Sequence, residues 1–222
     1  GKYALFSEDP DTHRHRPRNL GLPFYHAGSL SYRILTPALQ KLTEKVLIAS
    51  LRIPGNRPSS REWEEALAYA IDELWMCSVC GQYFPYPYWL APVQRRACPF
   101  CGEKICQPYP LVLELYEEKN KHNFIPIGRR IVVGHNYKIF EDVIEPSRKP
   151  PFTRKDKKSV GHIEWNRKKN RYHLINDEGG TWQARHLDGN PQFTARRGQS
   201  LVIEKNFYVN FGKGYRMAFI IE

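Results

Sequence analysis

The sequence predicts an α+β protein of several modules. A helical segment occupies residues 1–75, a four-cysteine zinc ribbon 76–107, and an all-β sandwich 108–222. Three observations predict this. Apolar residues recur at helical spacing as far as about residue 76. All five cysteines fall between Cys77 and Cys106, four of them in two Cys-x-x-Cys pairs. Beyond residue 106 the pattern changes to short β-branched and aromatic runs punctuated by Gly, Asn, Asp and Pro. The charge changes along the chain as well. Residues 1–118 carry 13 Lys+Arg against 13 Asp+Glu, whereas residues 119–222 carry 21 against 10, so the whole net charge of +11 lies in the second part.

Residues 1–30 are rich in Pro, Gly, His and Arg and read as a long loop. In "TPALQKLTEKVLIASL", Thr36 is placed to cap a helix and Pro37 suits its first position. Leu39, Leu42, Val46 and Leu47 then form one apolar face. "RIPGNRPSS" breaks this helix. Ser59 or Ser60 caps a second, "REWEEALAYAIDELWM", with Trp63, Leu67, Ala70, Ile71 and Leu74 as its stripe. After the cysteines, "PLVLELYEE", "RRIVVG", "VGHIEWN", "RYHLIND", "SLVIEK", "FYVNFG" and "YRMAFIIE" read as strands, with a hairpin turning at Arg167–Asn170. Seven or more short strands indicate a sandwich or small barrel. "FEDVIEPSRKPPFTRKDKKS" interrupts them as an irregular stretch. "DEGGTWQ" reads as a turn and Trp182 as a core residue. No apolar run approaches the about 20 residues of a membrane span, and no signal peptide opens the chain, which predicts a cytoplasmic location and no membrane partner. The first residue is Gly rather than Met, so the chain reads as a piece of a longer protein.

Cys77 and Cys80 are two residues apart, as are Cys98 and Cys101, with 17 residues between the pairs. Each Cys-x-x-Cys turn supplies two soft ligands at the bite that tetrahedral zinc needs, and two such turns close the site. Gly81 and Gly102 follow the knuckles, where a tight turn needs them. Four thiolates leave no open position, so the zinc is expected to be structural. Disulfides would require an oxidising compartment. A thioredoxin-like pair would need a single Cys-x-x-Cys opening a helix, whereas here the first pair closes one. Cys106 is the spare, read as a buried thiol or a substitute ligand.

Read blind, Arg57 is a solvated residue of a helix–loop–helix corner. However, "LTPALQKLTEKVLIASLRIPGNRPSSREWEEALAYA" resembles the end of a Ser/Thr protein kinase domain, with Leu39, Leu42, Val46, Leu47, Ser50 and Leu51 in its first helix. Pro54, Arg57, Pro58, Ser59, Trp63 and Leu67 fit its corner and last helix. "GKYALFSEDP" resembles the segment after the large central helix of the same lobe. The resemblance implies that Arg57 pairs, buried, with a glutamate outside this chain. The Gly-rich loop, strand lysine, His-Arg-Asp loop and Asp-Phe-Gly motif are missing from the sequence, so this chain has no phosphoryl-transfer machinery of its own. The parent protein would be a kinase or pseudokinase. Such a tail followed by a cysteine ribbon resembles bacterial kinase-like proteins found beside a metal-dependent protein phosphatase and a von Willebrand A-type protein. That implies an upstream kinase lobe, and those two proteins, as partners.

In the β-half, Ile127-Gly128-Arg129, Ser159-Val160-Gly161-His162 and "LVIEKNFYVNFG" resemble a forkhead-associated (FHA) domain. Val160 stands where that family carries a phosphate-gripping arginine, and Asp188-Gly189-Asn190 is only a scrambled version of its Asn-Gly loop. Arg148, Lys149, Arg154, Lys155, Lys157, Lys158, Arg167, Lys168, Lys169 and Arg171 form a basic cluster interrupted by Asp156 and Glu164. With Arg129 and Ser159 they are the candidate contacts for an acidic or phosphorylated protein segment or for nucleic acid. A solvated loop and hairpin tip would carry the same residues. Phe152, Trp165 and Tyr172 lie nearby, as a single-strand binder requires and as a sandwich core also does. Two functional readings follow. One is a non-catalytic regulatory and scaffolding region of a Ser/Thr kinase-like protein. The other is a nucleic-acid-binding zinc-ribbon protein, in which Arg95 and Arg96 flank the second knuckle.

Overall fold

In the computed structural model the chain divides into two units, Gly1–Lys104 and Ile105–Glu222. The described residues are 31–50, 53–90, 97–121, 123–147, 158–212 and 214–221. Residues 1–30, expected above to be a loop, and residues 148–157 of the stretch expected to be irregular lie outside them.

The first unit begins at a cap set by local chemistry. The Thr36 hydroxyl accepts from the Leu39 amide and Pro37 opens α1, Pro37–Glu44. A π-type turn over Lys45–Ala49 continues it. α2, Ser60–Asp72, starts with a full capping box, in which Ser59 and Glu62 satisfy each other's backbone amides. Lys45 Nζ reaches Glu62 Oε1 at 3.1 Å and ties the two helices. Leu39, Ala66 and Ala70 form a small core, with Leu35, Leu42 and Trp63 packed against it.

Two expectations for α2 are corrected. Of its predicted stripe, Ala70 is buried and Trp63 packs on the core, but Leu67 and Ile71 are 51% and 46% exposed. The helix also stops at Asp72, and Leu74–Met76 becomes strand β1, paired antiparallel with β2, Tyr83–Pro85. The first cysteine pair therefore closes a strand rather than a helix. The partner strand lies beyond the cysteines, and pairing with it overrides helical propensity.

The second unit is an antiparallel β-sandwich. Its strands are β3 (Leu111–Asn120), β4 (Asn123–Val133), β5 (Lys138–Phe140), β6 (Ser159–Asn166), β7 (Arg171–Asn176) and β8 (Trp182–His186). β9 (Gln192–Ala195), β10 (Ser200–Ile203), β11 (Phe207–Asn210) and β12 (Met217–Ile220) follow, and a single helical turn, α3 (Glu141–Ile144), lies after β5. One sheet runs β4-β3-β12-β11-β8-β9 and the other β10-β7-β6-β5. Alternate residues point inward, and Leu113, Leu115, Ile131, Ile163, Leu174, Trp182, Leu201, Phe207 and Val209 meet in one core fed by both sheets. Trp182 is core, as expected, with its ring edge-on to Phe211 at 5.1 Å. The strands the sequence reading passed over are β5, β8 and β9, which are short and, in the case of β8, begin inside a Gly-rich turn.

Gly161 shows how tightly the layers close. A Cβ there would lie 2.6 Å from the Ile175 carbonyl oxygen and 2.6 Å from the Trp182 ring. The backbone contact cannot rotate away, so Gly161→Ala is expected to cost on the order of 1–3 kcal/mol or more. A denaturation midpoint equal to that of the parent would contradict this packing.

Candidate metal centre and basic surfaces

Two matched turns build the metal centre. In the first, the Gly81 amide donates to the Cys77 carbonyl and the Cys77 amide to the Gln82 carbonyl, at 3.0 and 2.9 Å. In the second, Gly102 donates to Cys98 and Cys98 to Glu103, at 2.9 and 2.7 Å. Gly81 and Gly102 sit at φ 70° and 72°, the left-handed region that closes each knuckle. β1 and β2 carry the first turn, and a bridge between Ala97 and Lys104 carries the second.

The four sulfurs converge, all within 4.8 Å of one another. Cys77 Sγ lies 3.7 Å from Cys101 Sγ, and Cys80 Sγ 3.7 Å from Cys98 Sγ. A disulfide would bring sulfurs to about 2.05 Å. A tetrahedral metal with bonds of about 2.3 Å places sulfurs about 3.8 Å apart, so the spacing fits a metal ion. The backbone amides of Cys80 and Val79 aim at Cys77 and lower its thiol to about 7. At Cys101 the Glu103 amide pulls the thiol down, but desolvation and the three neighbouring sulfurs outweigh it and push the group to about 12. Four such groups become thiolates together only around a cation. Cys77, Cys80, Cys98 and Cys101 could therefore hold a metal ion, as the spacing predicted. Cys106 is exposed rather than buried and lies outside the cluster.

The candidate basic residues that are described do not form one patch. Arg148, Lys149, Arg154, Lys155 and Lys157 lie outside the described residues. Arg129 is not a surface residue at all. A bulge in β4 shifts the register against β3 across Ile127-Gly128-Arg129, with Gly128 at φ 75°. The bulge turns the guanidinium inward, where it meets Asp142 Oδ2 at 2.7 Å and the Asp142 carbonyl at 2.8 Å. Arg216 joins from β12's approach, donating to the same carbonyl and to Glu117. Arg129 thus serves the fold.

The remaining candidates sit at opposite ends of β6. Its eight residues, at about 3.3 Å each, separate the two ends by roughly 25 Å. At the Ser159 end the described cation, Lys158, is already paired. Lys158 Nζ lies 3.0 Å from Glu178 and 3.4 Å from Glu141, and these carboxylates, Glu178 first, make the Lys158 ammonium hold its proton more firmly than usual. The Ser159 hydroxyl donates to the Gly161 and Ile139 carbonyls. Val160 is buried, and His162 faces Asp177 at 2.9 Å. The acidic partners come from α3 and the β7–β8 loop, so no local pattern around Ser159 announced them.

At the other end, Arg167, Lys168, Lys169 and Arg171 are exposed around the β6–β7 turn. The Lys169 amide donates to Asn166 Oδ1 at 3.0 Å, and Asn170 takes φ 49°, so the turn has a defined shape. Arg57 is exposed on its corner, its amide donating to the Pro54 carbonyl. Sequence reading also missed a cavity of about 530 Å³ on the outer face of the six-stranded sheet, lined by Tyr116, Phe124, Gln183, Arg185, Tyr208 and Asn210. Four of these residues come from β8 and β11, and β8 was not recognised.

No helix among the described residues is long and apolar enough to cross a membrane. No family model matches the chain, and neither the curated proteins nor the solved structures compared with it gave a match.

Proposed function

We propose that this chain is a non-catalytic regulatory and scaffolding region of a Ser/Thr kinase-like protein, in which a structural zinc ribbon follows the end of a kinase lobe and a degenerate FHA-like sandwich is the docking module. The observation that carries the reading is the cysteine tetrad. Four sulfurs at tetrahedral spacing fill every position a zinc ion offers, which suits a structural rather than a catalytic metal. Soft sulfur donors in this geometry select zinc or iron, and the fully thiolate, mononuclear set fits zinc.

Three further features support the parent assignment. The capped α1–α2 corner follows the kinase-end motif quoted above. Arg57 and the apolar Leu67 and Ile71 are all exposed, as expected if a preceding lobe covers them. The β-unit is a two-sheet antiparallel sandwich, the architecture the FHA resemblance implies. The phosphate-gripping loop of that family is not reproduced around Ser159, where Lys158 and His162 already face carboxylates. Among the described residues, the exposed cations at the other end of the sandwich are therefore the ones assigned to docking a charged partner.

Reading the coding frame upstream of Gly1 tests the parent assignment. A kinase lobe there, ending in an Ala-Pro-Glu motif able to reach Arg57, is the expected result. A frame without such a lobe would sink it.

A further inference from the structure

The hairpin end of the sandwich combines charge with an aromatic cavity. Four cations fall within five residues, Arg167, Lys168, Lys169 and Arg171, on a turn of defined shape. Directly beside them lies a cavity of about 220 Å³ whose lining includes Arg171, Asn170, Trp165, Tyr172 and Tyr109, with Glu204 as its single carboxylate. Trp165 and Tyr172 meet edge-to-face with centroids 4.8 Å apart. The Tyr172 hydroxyl donates to the Tyr109 carbonyl at 3.0 Å, which anchors that segment while the Tyr109 side chain stays at the surface. Tyr109 is 42% exposed.

A phosphate alone would use the cations and leave the aromatic cavity idle. An apolar ligand would use the cavity and leave the cations unanswered. A nucleotide uses both, since its base offers a flat face to an aromatic ring and its phosphate pairs with Lys and Arg. The cavity is below the roughly 300–1,000 Å³ of drug-sized sites, which suits one splayed base. A duplex hides the base faces, so the strand must be single. Longer-range charge agrees, because residues 105–222 carry 21 Lys+Arg against 13 Asp+Glu, a net of +8, whereas residues 1–104 carry 13 against 10.

We propose that this end of the sandwich binds single-stranded nucleic acid, stacking a base at Tyr109 and Trp165 and holding backbone phosphates on Arg167, Lys168, Lys169 and Arg171. The proposal rests on reading the sandwich as a docking module, but not on the kinase assignment.

The test is fluorescence anisotropy of labelled oligo(dT) and oligo(U) of about 12 nucleotides with the whole metal-loaded chain. Four phosphate contacts predict a log–log salt slope of about −3, so that raising salt from about 50 to 200 mM weakens binding about 50-fold. Replacing Arg167, Lys168 and Lys169 together by Glu changes only exposed side chains and is expected to abolish most of that slope. Tyr109→Ala keeps the carbonyl that Tyr172 uses. It is expected to weaken binding about tenfold, the loss of one stacked base, with the slope unchanged. Equal melting curves for parent and variants establish that each is folded. Binding to duplex as tight as to single strand, or indifference to Tyr109→Ala, overturns the proposal. So does displacement of the oligonucleotide by a phosphothreonine peptide but not by its unphosphorylated form, which would leave the docking reading standing with a protein partner. Failure of both probes to bind would remove the docking reading of this end as well.

Discussion

Stripping the metal from this chain is expected to unfold the cysteine ribbon and leave the sandwich folded. Among the described residues of unit Gly1–Lys104, the helical core is only Leu39, Ala66 and Ala70 with three partly buried neighbours. A core this small stabilises weakly without a staple. A structural zinc contributes apparent binding free energy of about 10–16 kcal/mol at pH 7, far more than that core supplies. The sandwich core, by contrast, draws on both of its own sheets and contains no cysteine. Metal analysis is therefore expected to return about one zinc per chain, and a chelator to erase the lower of two thermal transitions while sparing the upper. Cys98→Ser, at a site 2% exposed, should do the same without chelator. Because thiols must lose their protons to bind, uptake should release acid and weaken as pH falls. A metal-free protein with an unchanged melt would refute the centre, and visible absorbance from bound iron would refute zinc.

The second large effect is expected in the sandwich. Asp142→Ala leaves the Arg129 guanidinium, 1% exposed, without its carboxylate. Removing one partner of a buried pair costs about 3–5 kcal/mol, because the remaining charge stays desolvated. Against a total stability of about 5–15 kcal/mol, that should lower Tm by on the order of 10–20 °C. The double replacement Arg129→Met with Asp142→Leu should recover most of the loss, since an apolar pair of similar volume avoids the desolvation penalty. Urea titration of the three variants reads both effects. A single variant within about 1 kcal/mol of the parent would mean the pair contributes little, as exposed pairs do.

These two sites differ in how far they could be read from sequence. The cysteine tetrad was legible because each knuckle is a local turn, and two local turns with the correct ligands need only be brought together. The helix starts at Thr36 and Ser59 were legible for the same reason, as an oxygen side chain caps amides two or three residues away. Seven strands were legible from alternation, and the burial of Trp182 was expected although its strand was read as a turn. The Arg129–Asp142 pair was not legible. Ile127-Gly128-Arg129 reads as an exposed phosphate contact until the bulge against β3 turns the arginine inward. The end of α2 misled in the same way, because Leu74-Trp75-Met76 continues a helical pattern and is made a strand only by pairing with Tyr83–Pro85.

The basic cluster was legible as composition but not as a surface. Sequence alone determined that cations gather between Arg148 and Arg171, that two cysteine turns can hold one ion, and that the chain changes from helical to β periodicity after them. Among the described residues, tertiary structure decided which cations remain available. It brought Glu141 from α3 and Glu178 from the β7–β8 loop onto Lys158, and left the hairpin cations beside an aromatic cavity. The physical reason is range. Caps, knuckles and alternation are decided within a few residues, whereas burial and ion pairing depend on which strands the completed sandwich makes neighbours.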